Sequence, residues 1–185
     1  MNIEYLIRTM NWTNPDTGIK TELGKYLGNN VFINDSITDF PEEILLFLIE
    51  PDSPEKIATR FSSTVYYHEK HNRKFAVKKF KDYKKGGGIE QFRCLRKIKL
   101  LGFETPEVYA ATPNVLVMDY IPHQNLEHYL NTLSAPIGSV RLRKWNDLMN
   151  QITQQMEDET IDTYVGNGYV ILNPDELKFG VYDQG

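Results

Sequence analysis

The chain has 185 residues, of which 41% are hydrophobic and 25% charged, a composition that is ordinary for a globular protein. No apolar run approaches the roughly 20 residues needed to cross a bilayer, and the N-terminal residues lack the basic and apolar stretches of a secretion signal. The single cysteine, Cys94, excludes an intramolecular disulfide and a cysteine-rich zinc site. We therefore expect a cytoplasmic protein without membrane contact, with secretion into another cell left open.

The net charge of −4 conceals a strong asymmetry along the chain. Residues 69–99 contain 12 Lys and Arg against 3 acidic residues, so this segment carries +9 and the rest of the chain −13. Such a basic segment can meet nucleic acid or smaller anions such as phosphates. The acidic overall balance and the lack of a zinc-finger or aromatic RNA-binding signature argue against nucleic acid.

The first third of the chain carries turn signals but no sustained helical period. Residues 1–40 predict short strands and loops, whereas residues 41–49 fit either a helix that begins at Pro41 or a buried strand. We leave residues 1–54 as an unassigned N-terminal extension. A polar segment at 56–68 and a turn at His71-Asn72 then lead to the next strand.

That strand, residues 75–80, places Lys78 at the end of an apolar run, Phe75-Ala76-Val77. If the strand is buried, the lysine needs anionic partners; the alternative is a surface strand with solvated lysines. After a glycine-rich connection, residues 89–98 predict a basic helix that carries Glu90 and ends at Gly102. We expect Glu90 to face Lys78, with a buried set Phe92, Leu95 and Ile98, and an exposed set Arg93, Arg96 and Lys97. Cys94 is predicted to be buried.

The second half begins with a predicted buried strand at 114–121. Asn125 is a plausible N-cap of a short helix, residues 134–139 are expected to form a loop, and residues 140–159 have the 3.6-residue period of one long amphipathic helix. Two strands are expected at 169–172 and 177–182. The core stripe of the long helix is predicted to be Trp145, Leu148, Met149, Ile152 and Met156, and the predicted surface histidines are His123 and His128.

The order of a strand with Lys78, a helix with Glu90 and a second buried strand resembles the small lobe of a protein kinase. The Gly102-x-x-Thr105-Pro106 turn before the strand at 115–121 is similar to RIO kinases and to the small kinase of the KEOPS complex. The resemblance implies an α+β fold, with an antiparallel small-lobe sheet and one helix at 55–120 and a shortened, mainly helical large lobe at 121–185.

The resemblance also implies an ATP site. Lys78 would contact the phosphates, Glu90 would pair with it, Met118 would be the gatekeeper, and the following residues would hold adenine through their backbone. The three glycines of the usual phosphate loop are replaced by Ala58, Arg60 and Ser63, so an ordinary polar hairpin is the alternative. The implied nucleotide-binding residues are Ser62, Ser63, Thr64, Val65, Ala76, Lys78, Met118, Asp119, Tyr120 and Ile121.

Near the end of the chain, Asp162 and Asn167 have the spacing of a kinase catalytic loop, and Asp183-Gln184-Gly185 matches the magnesium-binding motif with Gln in place of Phe. The His-Arg that usually precedes the catalytic aspartate is replaced by Thr160-Ile161. The resemblance implies that Asp162 is the catalytic base and that Asn167 and Asp183 hold Mg²⁺.

These motifs predict an ATP-binding, kinase-like protein that phosphorylates Ser or Thr of a protein acceptor. Because the sequence stops at Gly185, we expect low or partner-dependent activity, with a partner that completes the large lobe. One alternative is a truncated pseudokinase that serves as a protein-binding module. Another is an aminoglycoside-type phosphotransferase, which shares the motifs but normally needs a larger helical lobe.

Overall fold

A computed structural model describes the chain in segments: residues 10, 18–21, 24–37, 44–60, 62–81, 87–158, 167–172 and 177–183. The chain forms two compact units. The first unit comprises residues 1–96 and 107–120, and the second comprises residues 97–106 and 121–185.

The first unit is built on an antiparallel sheet, which has eight strands within the described segments. Its spatial order is β1-β2-β3-β7-β8-β6-β5-β4. The strands are β1 (Ile19–Thr21), β2 (Gly24–Gly28), β3 (Val31–Ile33), β4 (Lys56–Thr59), β5 (Ser63–Lys70), β6 (Arg73–Phe80), β7 (Val108–Ala111) and β8 (Val115–Asp119). The extension that the sequence left unassigned therefore contributes three strands to the same sheet.

Two tight turns of the sheet use residues with positive φ. Asn29 and Asn30 have φ of 47° and 58° between β2 and β3, and His71 and Asn72 have 49° and 62° between β5 and β6. Two-residue hairpin loops favour positive φ at both positions because that backbone matches the twist of the flanking strands. Asn and His adopt positive φ more readily than most residues. The angles at His71 and Asn72 confirm the turn predicted there.

Successive side chains of a strand point to opposite faces of the sheet, and in the interior strands both sets are largely apolar. Both faces are therefore covered by a helix. Helix α1 (Ile44–Ile49) packs on one face, where Phe75 and Val77 join its core. Helix α2 (Gly87–Leu100) packs on the other face, which includes Ala76. The segment at 41–49 is thus a helix over its described part. The fold is α+β, as expected from the sequence.

Helix α2 meets the sheet with its first turn. A Cβ at Gly88 would lie 2.3 Å from the Thr112 carbonyl oxygen and 2.4 Å from that of Val115, so only glycine fits. The Gly88 amide donates to the Pro113 carbonyl at 2.9 Å. After the helix, Gly102 has φ of 88°, as expected for a residue that ends a helix.

The burial of α2 agrees with the sequence prediction for its apolar residues and differs for two cations. Phe92, Leu95 and Ile98 are fully buried, Cys94 is buried, and Arg93 is exposed. The expectation that Arg96 and Lys97 are exposed is wrong, since both are buried. For Arg96 the physical reason is a set of polar partners beneath the helix, described below.

The second unit contains helices α3 (Leu126–Asn131) and α4 (Ala135–Asp158) and a three-stranded antiparallel sheet ordered β11-β10-β9. Its strands are β9 (Gln124–Asn125), β10 (Asn167–Leu172) and β11 (Leu177–Asp183). The Asn125 side chain accepts from the amides of Glu127 and His128, which confirms the predicted N-cap. The described residues contain no helix that is both long and apolar enough to cross a membrane.

Helix α4 begins earlier than the sequence predicted. Residues 135–139 were expected to form a loop, but they are its first turns, because Pro136 fits the start of a helix and the Ser139 hydroxyl donates to the Ala135 carbonyl. Trp145 and Ile152 are buried, and Leu148 and Met149 are half-buried. The side chain of Met156 lies outside the described residues. His123 and His128 are exposed, as predicted.

Candidate functional site

Lys78 is a buried cation on β6, an interior strand of the first unit's sheet. Its residue is only 5% exposed, and its register partners are Val65 on β5 and Leu116 on β8. Side chains two residues apart on a strand point to the same face of the sheet, so Lys78 shares the face of Ala76, which α2 covers. The ammonium nitrogen is 5.0 Å from the centre of the Phe80 ring, within the range of a cation–π contact.

Lys79 lies on the opposite face of β6 and has a different environment. Its ammonium group donates to both carboxylate oxygens of Asp52, at 2.9 and 3.0 Å, at a largely exposed position. The hydrogen bond from Lys79 is the main cause that lowers the pKa of the Asp52 carboxyl. Of the two lysines, Lys79 is therefore a surface ion-pair residue and Lys78 the interior one.

An apolar wall lies beside Lys78 on the same face of the sheet. Met118 is the register partner of Ala76, and both are 6% exposed within the core formed with α2. Val65 is half-buried against the same core. The structure therefore brings together Val65, Ala76, Lys78 and Met118. Their assignment to nucleotide binding stays a prediction.

The segment after Met118 is fixed by hydrogen bonds within the first unit. The Asp119 amide donates to the Glu107 carbonyl at 2.9 Å, and the Tyr120 amide donates to the Lys74 carbonyl at 3.0 Å. Because both amides already donate hydrogen bonds within the protein, adenine bound at this segment would have to form its hydrogen bonds with other backbone groups. Ile121, the next residue, belongs to the second unit and is half-buried.

Two tyrosines rigidify this segment further. The Tyr109 hydroxyl donates to the Asp119 carboxylate at 2.6 Å. Burial, followed by this hydrogen bond, raises the pKa of Tyr109 well above its ordinary value, so the hydroxyl keeps its proton and the bond persists at neutral pH. The Tyr120 ring contacts the Tyr67 ring edge-on, with centroids 4.9 Å apart.

The expected phosphate loop is the hairpin between β4 and β5. Lys81 closes it, because its amide donates to the Ser62 carbonyl and its ammonium group to the Arg60 carbonyl, at 2.9 and 3.0 Å. Ser62 is exposed, whereas Ser63 and Thr64 are buried. Strand alternation puts Thr64 on the face opposite Lys78, so at this position only the backbone is suited to a phosphate beside Lys78.

Glu90 is exposed on the first turn of α2, and its neighbour Gln91 is buried. The ion pair between Glu90 and Lys78 therefore stays a prediction, one that needs the helix to turn or the side chain to fold inward.

Arg96 belongs to a polar cluster that sequence reasoning missed. Its guanidinium donates to the Ser36 hydroxyl at 3.1 Å and lies 3.8 Å from the Glu107 carboxylate. The buried Asn34 side chain donates to Glu107 and to the Val108 carbonyl, at 2.7 and 2.8 Å. Ser36 and Arg96 are 60 positions apart, and Asn34 and Glu107 are 73 positions apart, so no local pattern could have revealed the cluster.

In the second unit, the backbone pairs the two predicted metal-binding residues. Asn167 and Asp183 are register partners at one end of the β10–β11 ladder. Their side chains lie outside the described residues, as does the whole of Asp162. Among the residues that the structure describes, no group of three or more His, Cys, Asp or Glu is placed to hold a metal.

Comparisons with known proteins support the fold. No protein-family model and no curated protein sequence matches the chain. Among solved structures, the fold is similar to WaaP in complex with acyl carrier protein, with a TM-score of 0.53, 15% identity, and coverage of 83% of this chain and 70% of that chain. At this identity the match supports a kinase-like fold and says nothing about activity.

Proposed function

We propose that this protein binds ATP and transfers its γ-phosphoryl group to a Ser or Thr hydroxyl of a protein acceptor. The observation that carries the proposal is Lys78, a buried lysine on an interior strand of a kinase-like sheet. In kinases the lysine at this position of the sheet contacts the ATP phosphates, and an electrostatic contact with an anion is stronger at a buried site than in water. A purine ring also requires an apolar surface, which here would be supplied by Val65, Ala76 and Met118.

The proposed metal site uses Asn167 and Asp183. Amide and carboxylate oxygens are hard donors that suit Mg²⁺, and magnesium in phosphotransferases is held by one or two protein carboxylates together with phosphate oxygens. Two protein ligands at this end of β10 and β11 therefore fit the ion by donor chemistry. Bound magnesium would offset charge on the phosphates during transfer.

In the proposed reaction, Asp162 accepts the proton of the acceptor hydroxyl. The hydroxyl oxygen forms a bond to the γ-phosphorus, the bond from that phosphorus to the bridging oxygen breaks, and ADP leaves. Lys78 would stabilise the phosphate charge, so its removal should weaken binding as well as chemistry.

The test is a thermal-shift titration with Mg-ATP. At 100 times its dissociation constant, ATP should stabilise the protein by about 2.7 kcal/mol, which for a chain of this size is about 5–10 °C in Tm. Lys78→Met should abolish the shift, because it removes the phosphate-facing charge and retains a similar length. Lys79→Met is the matched control, and we expect it to keep the shift. Loss of the shift in Lys79→Met alone would contradict the assignment.

A second candidate is a pseudokinase that binds a protein partner. The exposed side chain of Glu90 favours it, because an active kinase needs that carboxylate beside the lysine. WaaP was solved with a protein bound, which makes a protein partner a reasonable part of either proposal. Transfer of radiolabelled phosphate from ATP, lost in Asp183→Ala, would support the enzyme. A Mg-ATP thermal shift without any transfer or hydrolysis would support the pseudokinase.

A further inference from the structure

The second unit has an open groove where the first half of α4 passes β11. Its volume is about 470 Å³. Two of its aliphatic side chains are strongly exposed, Ile137 at 49% and Val140 at 54%. The groove is lined by Pro136, Ile137, Val140, Arg141, Lys144 and Phe179.

The four helical residues from Ile137 to Lys144 have the spacing of one helix face. Positions 137, 140, 141 and 144 follow the i, i+3, i+4, i+7 pattern, so they form a continuous strip along α4. Over the residues whose side chains are described, α4 buries only Trp145 and Ile152, and the strip adjoins this buried side of the helix without belonging to it. Contiguous exposed apolar surface of this kind commonly marks an interaction site.

The strip also carries positive charge in a fixed position. Arg141 is half-buried, and its guanidinium lies over the Tyr129 ring at 5.6 Å, which orients it before anything binds. Lys144 is exposed one turn further along the same face. The residues that line the groove include two cations, Arg141 and Lys144, and no acid, so the groove attracts a negatively charged partner.

We propose that this groove docks an acidic amphipathic helix of a partner protein. The apolar side chains of that helix would contact Ile137, Val140 and Phe179, and its carboxylates would pair with Arg141 and Lys144. A helix bound in a groove contacts it through side chains at i, i+3, i+4 and i+7, which is the same spacing as in the strip. The two surfaces are therefore matched in length and in spacing. The concave shape favours such a rod over the flat face of a membrane. The proposal is independent of ATP binding.

The test uses two synthetic helices with the same row of leucines. Each is about 18 residues long, which exceeds the ~12–15 residues below which isolated helices are marginal in water. One has glutamates on its polar face and the other has lysines. Fluorescence anisotropy with the full chain, without nucleotide, should show the glutamate peptide binding at least tenfold more tightly than the lysine peptide. Its affinity should fall with added salt, because exposed charges are screened.

Variants then locate the binding surface, and the chain supplies matched controls. Val140→Asp and Lys144→Glu should each weaken the glutamate peptide about tenfold, which corresponds to about 1.4 kcal/mol. Leu142→Asp and Arg143→Glu alter an exposed aliphatic residue and an exposed cation on the same helix that do not line the groove. We expect these two to stay within twofold of wild type. All four positions are exposed, and far-UV circular dichroism confirms folding.

Several results would overturn the proposal. Equal binding of the two peptides, or no binding of the glutamate peptide at millimolar concentration, would do so. Equal losses in Leu142→Asp and Val140→Asp would show that the groove is not the site. Tight binding to vesicles of phosphatidylserine and phosphatidylcholine, lost in Val140→Asp, would assign the strip to a membrane surface. A homodimer in sedimentation experiments that Val140→Asp dissociates would assign it to a second copy of the chain.

Discussion

Lys78 and Lys79 are adjacent in sequence but face opposite sides of β6, and their environments differ accordingly. Lys78 is buried beside Phe80, whereas Lys79 forms an exposed ion pair with Asp52. An exposed pair of this kind contributes little to stability, so Lys79 can be changed at small cost. Electrostatic contacts of Lys78 lie in a buried environment, where they are stronger than those of an exposed lysine.

A residue-scale prediction concerns Tyr67. Its hydroxyl donates to the Glu69 carboxylate at 2.7 Å, and this hydrogen bond is the main cause that raises the pKa of Tyr67 to about 12 from its ordinary 10.0. Because the bond requires the tyrosine proton, its contribution to folding stability is complete below about pH 10 and is lost as pH rises to about 12. We expect Glu69→Gln to lower the pKa of Tyr67 toward 10, measured by NMR titration of ¹³C-labelled tyrosine.

Glu55→Gln is the control for this titration. Glu55 acts on Tyr67 only through charge and more weakly than Glu69, so its substitution should change the pKa of Tyr67 much less. If the two variants behave alike, general negative charge and not the hydrogen bond sets the titration of Tyr67.

At the scale of elements, the packing of α4 on β10 depends on one glycine. A Cβ at Gly168 would lie 2.4 Å from the Trp145 ring, closer than real contacts allow, so the ring sits directly on the strand backbone. We expect Gly168→Ala to destabilise the protein by about 1–3 kcal/mol, since a core that is already filled must shift. Urea unfolding measures the change.

Gly138 provides the matched control on α4. A Cβ there meets only ordinary contacts, at 3.6 and 3.9 Å. Because alanine is the better helix former, Gly138→Ala should stabilise the protein by up to about 1 kcal/mol. The double variant Gly168→Ala, Trp145→Leu should lose less free energy of unfolding than the sum of the losses in the two single variants, because leucine makes room for the new methyl group. Strict additivity would contradict the steric explanation.

At the scale of the whole molecule, the structure reduces the basic surface that the sequence indicates. Of the 12 cations in residues 69–99, Lys78, Arg96 and Lys97 are buried, and Lys79 is paired with Asp52. With a net charge of −4, we expect affinity for RNA or duplex DNA no tighter than about 10⁻⁴ M at physiological salt. Fluorescence anisotropy across a salt series measures this. Tight binding that weakens steeply with salt would instead identify a nucleic-acid surface.

The sequence by itself determined the elements whose signals are local. Short continuous apolar runs indicated β6 and β8, the His71-Asn72 pair indicated a hairpin, and Asn125 indicated a helix start. Each of these signals depends on neighbours within a few residues. The same local order of strand, helix and strand was enough to indicate a kinase-like α+β fold. Burial of the apolar face of α2 also followed from its period.

Only the tertiary structure decided which polar groups lie inside. Arg96 looks like a surface residue in sequence, yet it is buried because Ser36, 60 positions away, and Glu107, from the segment after the helix, contact it beneath α2. The same holds for the exposure of Glu90 and for the joining of the N-terminal strands to the sheet through β3 and β7. These outcomes depend on long-range contacts, whose energies no local pattern of residues encodes.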